Sequence, residues 1–197
     1  MKMSSFGKIN EDREIDVGKP VDFSFKQITN LATVGVEGPR ATRIGRIPER
    51  GTEHRKYLTR SIWLNNNKLT NIQHVDTLVH AVLEQPEKLG WIDFSFNYIT
   101  HLDDGLLKFP NLKIVYFHGN LIKDLDEIFK LRSLSRLRSV TFHGNPISED
   151  LRYRMFVITY LPQVVNLDFS PVTNAEKCQP KPPEAVKKIL VAEGRSD

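Results

Sequence analysis

Four asparagines, Asn67, Asn97, Asn120 and Asn145, stand at the same place in one recurring phrase: IWLNNNKL (62–69), IDFSFNYI (92–99), VYFHGNLI (115–122) and VTFHGNPI (140–147). In each copy apolar residues lie five and three before the asparagine and two after it. From the second copy on, a leucine also falls eight before it (Leu89, Leu112, Leu137). A unit of this kind cannot bury its apolar side alone, so copies spaced by 30, 23 and 25 residues must stack into a solenoid. The alternation ahead of each asparagine gives a short strand with one face buried and the other outward. An asparagine side chain both donates and accepts, so it can satisfy backbone groups where the coil leaves the sheet.

The residue three before each asparagine is Leu64, then Phe94, Phe117 and Phe142. These side chains are expected to form one apolar column through the coils, as core rather than as a cofactor site. The long first interval holds a helical pattern from His74 to Gln85, with Val75, Leu78, Val79, Val82 and Leu83 on one face and Pro86 as its stop. Segments 105–109 and 125–134 should form the convex sides of the next two coils. Beyond Ile147, Ser148, Glu149 and Asp150 read as a helix start, followed by an apolar face of Leu151, Met155, Ile158 and Leu161. Residues 161–169 then read as a fifth strand whose asparagine position is Val172, and Thr173 with Glu176 fits a capping box. The domain reading is an N-terminal arm (1–60) with a strand-like piece at 21–25, repeats (61–147), a C-terminal cap (148–176) and a Pro-rich tail with a short helix (177–197). Val21 to Phe25 either adds an edge strand to the first coil or is a docking peptide, and residues 1–18 read as flexible.

The net charge of +4 is unevenly placed. Between Pro39 and Arg60 the cations Arg40, Arg43, Arg46, Arg50, Arg55, Lys56 and Arg60 face only Glu49 and Glu53, which leaves the rest of the chain at about −1. Its Gly and Pro punctuation and weak periodicity mark this stretch as an arm or linker rather than a packed element. Clustered arginines could meet phosphates through counterion release, but no aromatics are interleaved to stack on bases. An acidic protein surface, tubulin's being one example, would serve equally well. The single cysteine, Cys178, excludes an intrachain disulfide framework and suits a reducing compartment. No run approaches a membrane span. The expected setting is cytoplasmic.

Outward strand positions should line the concave face. They include Trp63, Trp91 with Asp93, Tyr116 with His118, Thr141 with His143, and Asp168 of the cap strand. Large aromatics exposed in a concavity are what an interface hot spot is made of. The alternative is that Phe23 and Phe25 of the chain's own arm cover the first of them. His118 and His143 fall on neighbouring strands, but two histidines without cysteine do not make a structural zinc site, so no metal or cofactor is assigned. They read as two solvated repeat positions. No Gly-rich phosphate loop, nucleophile elbow or carboxylate pair with a base to serve is present, so no catalytic residue and no small-molecule substrate are assigned.

The pattern LxxLxLxxNxL is similar to the leucine-rich repeat. The runs SIWLNNNKL (61–69), QPEKLGWIDFSFN (85–97) and LRSVTFHGNP (137–146), with the cap from Tyr153 to Thr173 and Val21 to Phe25 ahead, resemble the leucine-rich repeat-containing protein 51 family over about residues 20–176. The resemblance implies an α/β leucine-rich-repeat solenoid, with a short parallel concave sheet, helices and turns on the convex side, and a C-terminal cap. It also implies a non-catalytic cytoplasmic protein that binds other proteins. Kin with this cap type include phosphatase regulators, an axonemal dynein light chain and a spliceosomal ribonucleoprotein subunit. An axonemal or cytoskeletal scaffold in a motile cilium is therefore the expected role, with a phosphatase-regulatory subunit or a ribonucleoprotein component as alternatives.

Overall fold

A computed structural model describes residues 18–34, 38–40, 47–52 and 55–195. Each recurring phrase opens on a strand: β2 (Ser61–Trp63), β3 (Trp91–Asp93), β4 (Ile114–Tyr116) and β5 (Ser139–Thr141). β1 (Val21–Asp22) precedes them, and β6 (Asn166–Leu167) and β7 (Ser170–Pro171) follow. All seven form one sheet in sequence order, parallel from β1 to β6, with β7 antiparallel to β6. The register aligns Val21, Ile62, Ile92, Val115, Val140 and Leu167 in one row. Every member of that row is buried, because the inward face of each strand has only neighbouring coils to pack on.

The column behind it is the expected one. The rings of Phe94 and Phe117 stack 5.3 Å apart, and those of Phe117 and Phe142 stack 5.7 Å apart. Phe23 is buried in the same core, so residues 21–31 form a full coil of their own. The edge-strand reading of 21–25 is the correct one of the two.

The asparagines explain how coils are joined. The Asn120 amide donates to its own coil's Phe117 carbonyl (2.9 Å) and to the previous coil's Phe94 carbonyl (3.0 Å), while its oxygen accepts from Ile99 N–H (2.9 Å). Asn97 repeats this with Phe94 and Leu64 carbonyls and Leu69 N–H, and Asn145 with Phe142 and Phe117 carbonyls and Ile122 N–H. Asn67 reaches back in the same way to Phe23 and Ile28. In the first coil the corresponding residue is Lys26, and among the described residues no coil stands before it to be bridged.

On the convex side lie α1 (Val75–Val82), α2 (Leu125–Phe129) and short 3-10 turns such as Asp104–Lys108. Asp103 and Asp124 start two of these by accepting from the N–H two residues on. Among the described residues of the basic stretch, Arg50 and Tyr57 depart from the linker reading. Tyr57 is buried, bridges Leu83 next to α1, and carries the Arg50 guanidinium on its hydroxyl (2.7 Å) and over its ring (4.8 Å). A ring that can bury its face and still keep its hydroxyl paired converts a weakly periodic segment into a packed one. The expectations placed on residues 1–17, Arg43 and Arg46 fall outside the described residues.

The cap differs from expectation in two places. Helix α3 (Tyr153–Tyr160) begins later than Ser148 because Asp150 forms a turn first, accepting from Arg152 N–H (2.7 Å). Ile158 and Leu161 of the expected face are buried, joined by Tyr153, Phe156, Val157 and Tyr160, while Leu151, which precedes the helix, is fully exposed. The fifth strand ends at Leu167, since Asp168 and Phe169 take positive φ (51° and 61°) and reverse the chain into β7. The capping box at α4 (Asn174–Lys177) forms as expected. Thr173 accepts from Glu176 N–H and Glu176 accepts from Thr173 N–H (2.8 Å). The tail helix α5 (Pro183–Ala192) lies on α3, burying Ala185 and pairing Lys188 with Asp126, Glu184 with Arg152, and Glu193 with Arg132.

Candidate functional site: the concave sheet and its aromatic diagonal

The concave positions do come together, but with unequal access. Trp63, Trp91 and Tyr116 make a zigzag of diagonal contacts across β2, β3 and β4, each edge-on to the next at 5.4 and 5.7 Å between ring centres. Phe169 of the cap turn extends the diagonal, 5.3 Å from Tyr116. All three strand aromatics are half-buried, and neither Phe23 nor Phe25 covers them, because Phe23 is core and Phe25 points to solvent. The indole N–H groups of Trp63 and Trp91 are enclosed by the packing and find no acceptor among the described residues. Edge-to-face contact fits this, since an aromatic face is a weak acceptor for N–H. Asp93 lies between Trp63 and Tyr116 in register, with its carboxylate accepting from Ser95 N–H (2.8 Å) and its pKa raised by burial.

The C-terminal half of the set is closed. Thr141 is fully buried and His118 nearly so. The His118 and His143 rings stack 4.7 Å apart, Thr141 Oγ1 lies 2.8 Å from His118 Nδ1, and Phe169 lies edge-on to both imidazoles. Of the two histidines read as solvated, His118 is therefore not. Burial first, and the neighbouring His143 next, push His118 down to about 4. His143 stays exposed at the lip.

Asp168 is corrected from a partner-facing residue to an internal one. In the earlier coils the N–H three before each asparagine donates to the next strand's carbonyl, as Phe94 does to Tyr116 and Phe117 to Thr141. The chain reversal removes that carbonyl for Phe142, and the Asp168 carboxylate replaces it, accepting from Phe142 N–H (2.7 Å) and His143 N–H (2.9 Å). Its other oxygen accepts from the buried Tyr153 hydroxyl (2.8 Å). Of the basic residues, Arg40 donates to the Ser24 carbonyl (3.1 Å) and lies over the Phe25 ring, whereas Arg50 serves Tyr57 next to α1. Arg55 is exposed and Lys56 half-buried. The described ones are not gathered into one patch.

A leucine-rich-repeat family model matches residues 83–183. Leucine-rich repeat-containing protein 51 of Bos taurus is 45% identical over 158 residues, covering 80% of this chain and 81% of its own length. The Mus musculus protein is 44% identical over the same shares. The chain belongs to the leucine-rich repeat-containing protein 51 family. Among solved structures, the Drosophila melanogaster SNF/U2A' complex matches with a TM-score of 0.53 at 20% identity, over 76% of this chain and 79% of that one, a likeness of fold. In this member of the protein 51 family, two features of the site were missed in the sequence. The first is Phe169, whose swing onto the concave face depends on a turn that no glycine announces. The second is the first coil, and its signal was present: Asp22-Phe-Ser-Phe25 repeats Asp93-Phe-Ser-Phe96 residue for residue, with Lys26 where Asn97 stands.

A further pattern lies just beyond the strands. The residue before each asparagine position takes positive φ in all five coils: Phe25 (56°), Asn66 (56°), Phe96 (53°), Gly119 (67°) and Gly144 (70°). Asparagine and glycine accept this region readily. A phenylalanine there costs on the order of 1–2 kcal/mol, yet Phe25 and Phe96 remain more than half exposed.

Proposed function

We propose that this chain is a non-catalytic scaffold of a motile cilium or flagellum, gripping a protein partner on its concave sheet. The observation that carries the interaction reading is the diagonal of Trp63, Trp91, Tyr116 and Phe169, which places four adjoining aromatic rings on the concave face, covered by neither Phe23 nor Phe25. Aromatic clusters of this kind, partly desolvated before a partner arrives, are where binding energy concentrates. Membership of a repeat family supports a protein as the partner. The ciliary setting and the cytoplasmic location rest on the resemblance to cap-bearing repeat proteins of axonemes, and on the exposed cations Arg55 and Arg60, which suit an acidic polymer surface.

Trp91→Ala is expected to reduce partner capture at least tenfold, the usual loss at a hot spot, while the melting curve stays within a few degrees. Crosslinking mass spectrometry on axonemal and cell-body fractions of ciliated cells tests the setting. Crosslinks from Lys56, Lys68 or Lys187 to tubulin, spoke or dynein components are the expected result. Absence from axonemes, with crosslinks to a phosphatase or an RNA-processing subunit, would replace the ciliary reading. The ribonucleoprotein alternative draws on the fold likeness to U2A' of the SNF/U2A' complex.

A further inference from the structure

A second surface lies beside the concave face, along the edge where the chain leaves each strand. Five turns make up this rim, residues 25–29, 66–70, 96–100, 119–123 and 144–148, one per coil. They contain Lys26, Lys68 and Lys123 and not one acidic residue. Lys68 and Lys123 are exposed and make no ion pair among the described residues, and the Arg40 guanidinium sits over Phe25 at the same edge. Between these cations stand the apolar side chains of Phe25, Phe96, Tyr98 and Leu121, from 43 to 59% exposed. Phe25 and Phe96 are held in the left-handed region without the asparagine or glycine that suits it, as is Gln27 in the first of these turns. The Phe96 ring is laid directly over Gly119, where even a Cβ would fall 2.7 Å from its Cδ1, so its orientation is fixed rather than free. Two exposed aromatic rings are thus held at positions of backbone strain, and such outliers collect at sites of recognition.

We propose that this rim is a docking site for an extended acidic peptide segment that carries an aromatic or branched aliphatic residue at every third position. The charge follows from the rim's cations and its lack of carboxylates. The spacing follows from the sheet: Phe25 and Phe96 lie two strands apart, roughly 10 Å, which is the reach of three extended residues. Nucleic acid fits less well, because Leu121 and the Phe96 ring, edge-on to His118 at 5.0 Å, offer no regular stack for bases. The rim is distinct from the Trp63–Trp91–Tyr116 diagonal, so the two surfaces can be tested apart.

The test is fluorescence polarisation of the full chain with a labelled dodecapeptide of four Phe-Glu-Glu triplets. The same peptide with lysine for glutamate, and a labelled oligouridylate of twelve nucleotides, are the comparison probes. Expected is binding of the acidic peptide alone, weakened about tenfold by the pair of substitutions Phe25→Asn and Phe96→Asn, and likewise by Lys68→Glu with Lys123→Glu. The asparagine variant copies the residue that the second coil already uses at Asn66, so its melting temperature should not fall, and that separates lost contact from lost fold. Trp91→Ala should leave this affinity unchanged. The proposal is overturned if the lysine peptide or the oligouridylate binds as well, if no probe binds, if the asparagine variant binds like the parent, or if Trp91→Ala abolishes binding.

Discussion

Asn120 illustrates why one residue type recurs at fixed spacing when most of its surroundings vary. Its side chain holds three buried backbone groups drawn from two coils. Asn120→Ala would strand all of them, and since each orphaned buried group costs about 1–3 kcal/mol, a loss of about 3 kcal/mol or more in urea unfolding is expected. A loss below about 1 kcal/mol would mean that the coils are joined by apolar packing alone. Gly119→Ala combines an unfavourable φ with a collision against Phe96 and should cost about 1–2 kcal/mol by the same measurement. His118 adds a pH dependence with a definite sign. The unfolded chain binds its proton near pH 6.5 while the folded one resists until about 4, so this contribution is complete above pH 6.5 and is lost as the pH falls towards 4. Urea midpoints at pH 7.5, 6 and 5 should therefore drop less for His118→Gln than for the parent chain. At this scale the sequence was a good guide to residues acting through the repeat, such as the asparagines and the phenylalanine column. It was a poor one for Asp168 and Thr141, whose roles come from a reversal elsewhere in the chain.

Elements that close on local chemistry were legible, and those decided by tertiary contact were not. The capping box of Thr173 and Glu176 follows from two residues and forms as the spacing requires. Helix α3 starts at Tyr153 and not at Ser148, because Asp150 can either cap a helix or make a turn of its own, and here it makes the turn while α3 packs on α2. The β6–β7 hairpin was read as one strand for a related reason. Two residues at positive φ break the alternation; Asp168 is a type that tolerates such a turn, but Phe169 is not one that advertises it. The tail helix shows how much a single buried side chain can decide. Its three ion pairs are at least partly exposed and contribute about 1 kcal/mol or less each, so Ala185, which is fully buried, sets the approach to α3. Ala185→Leu should release α5, giving early tryptic cleavage at Lys187 or Lys188 while the melting of the repeats changes by only a few degrees. Cleavage at the parent rate would show that the ion pairs suffice.

Across the whole molecule, the bridging asparagines all point one way. Every one completes its own coil and the coil before it, and none reaches forward. The two ends of the stack are therefore not equivalent as places to add or remove material. At the C-terminal end the last repeat would be left with an unanswered backbone, and a dedicated carboxylate, Asp168, has to stand in for the missing neighbour. At the N-terminal end of the described residues the first coil has no predecessor to bridge, and a lysine stands where the ladder would otherwise continue. An array with this polarity can be lengthened by duplication at its front simply by restoring one amide, Lys26→Asn, whereas lengthening at its back would require the terminal turn to be rebuilt.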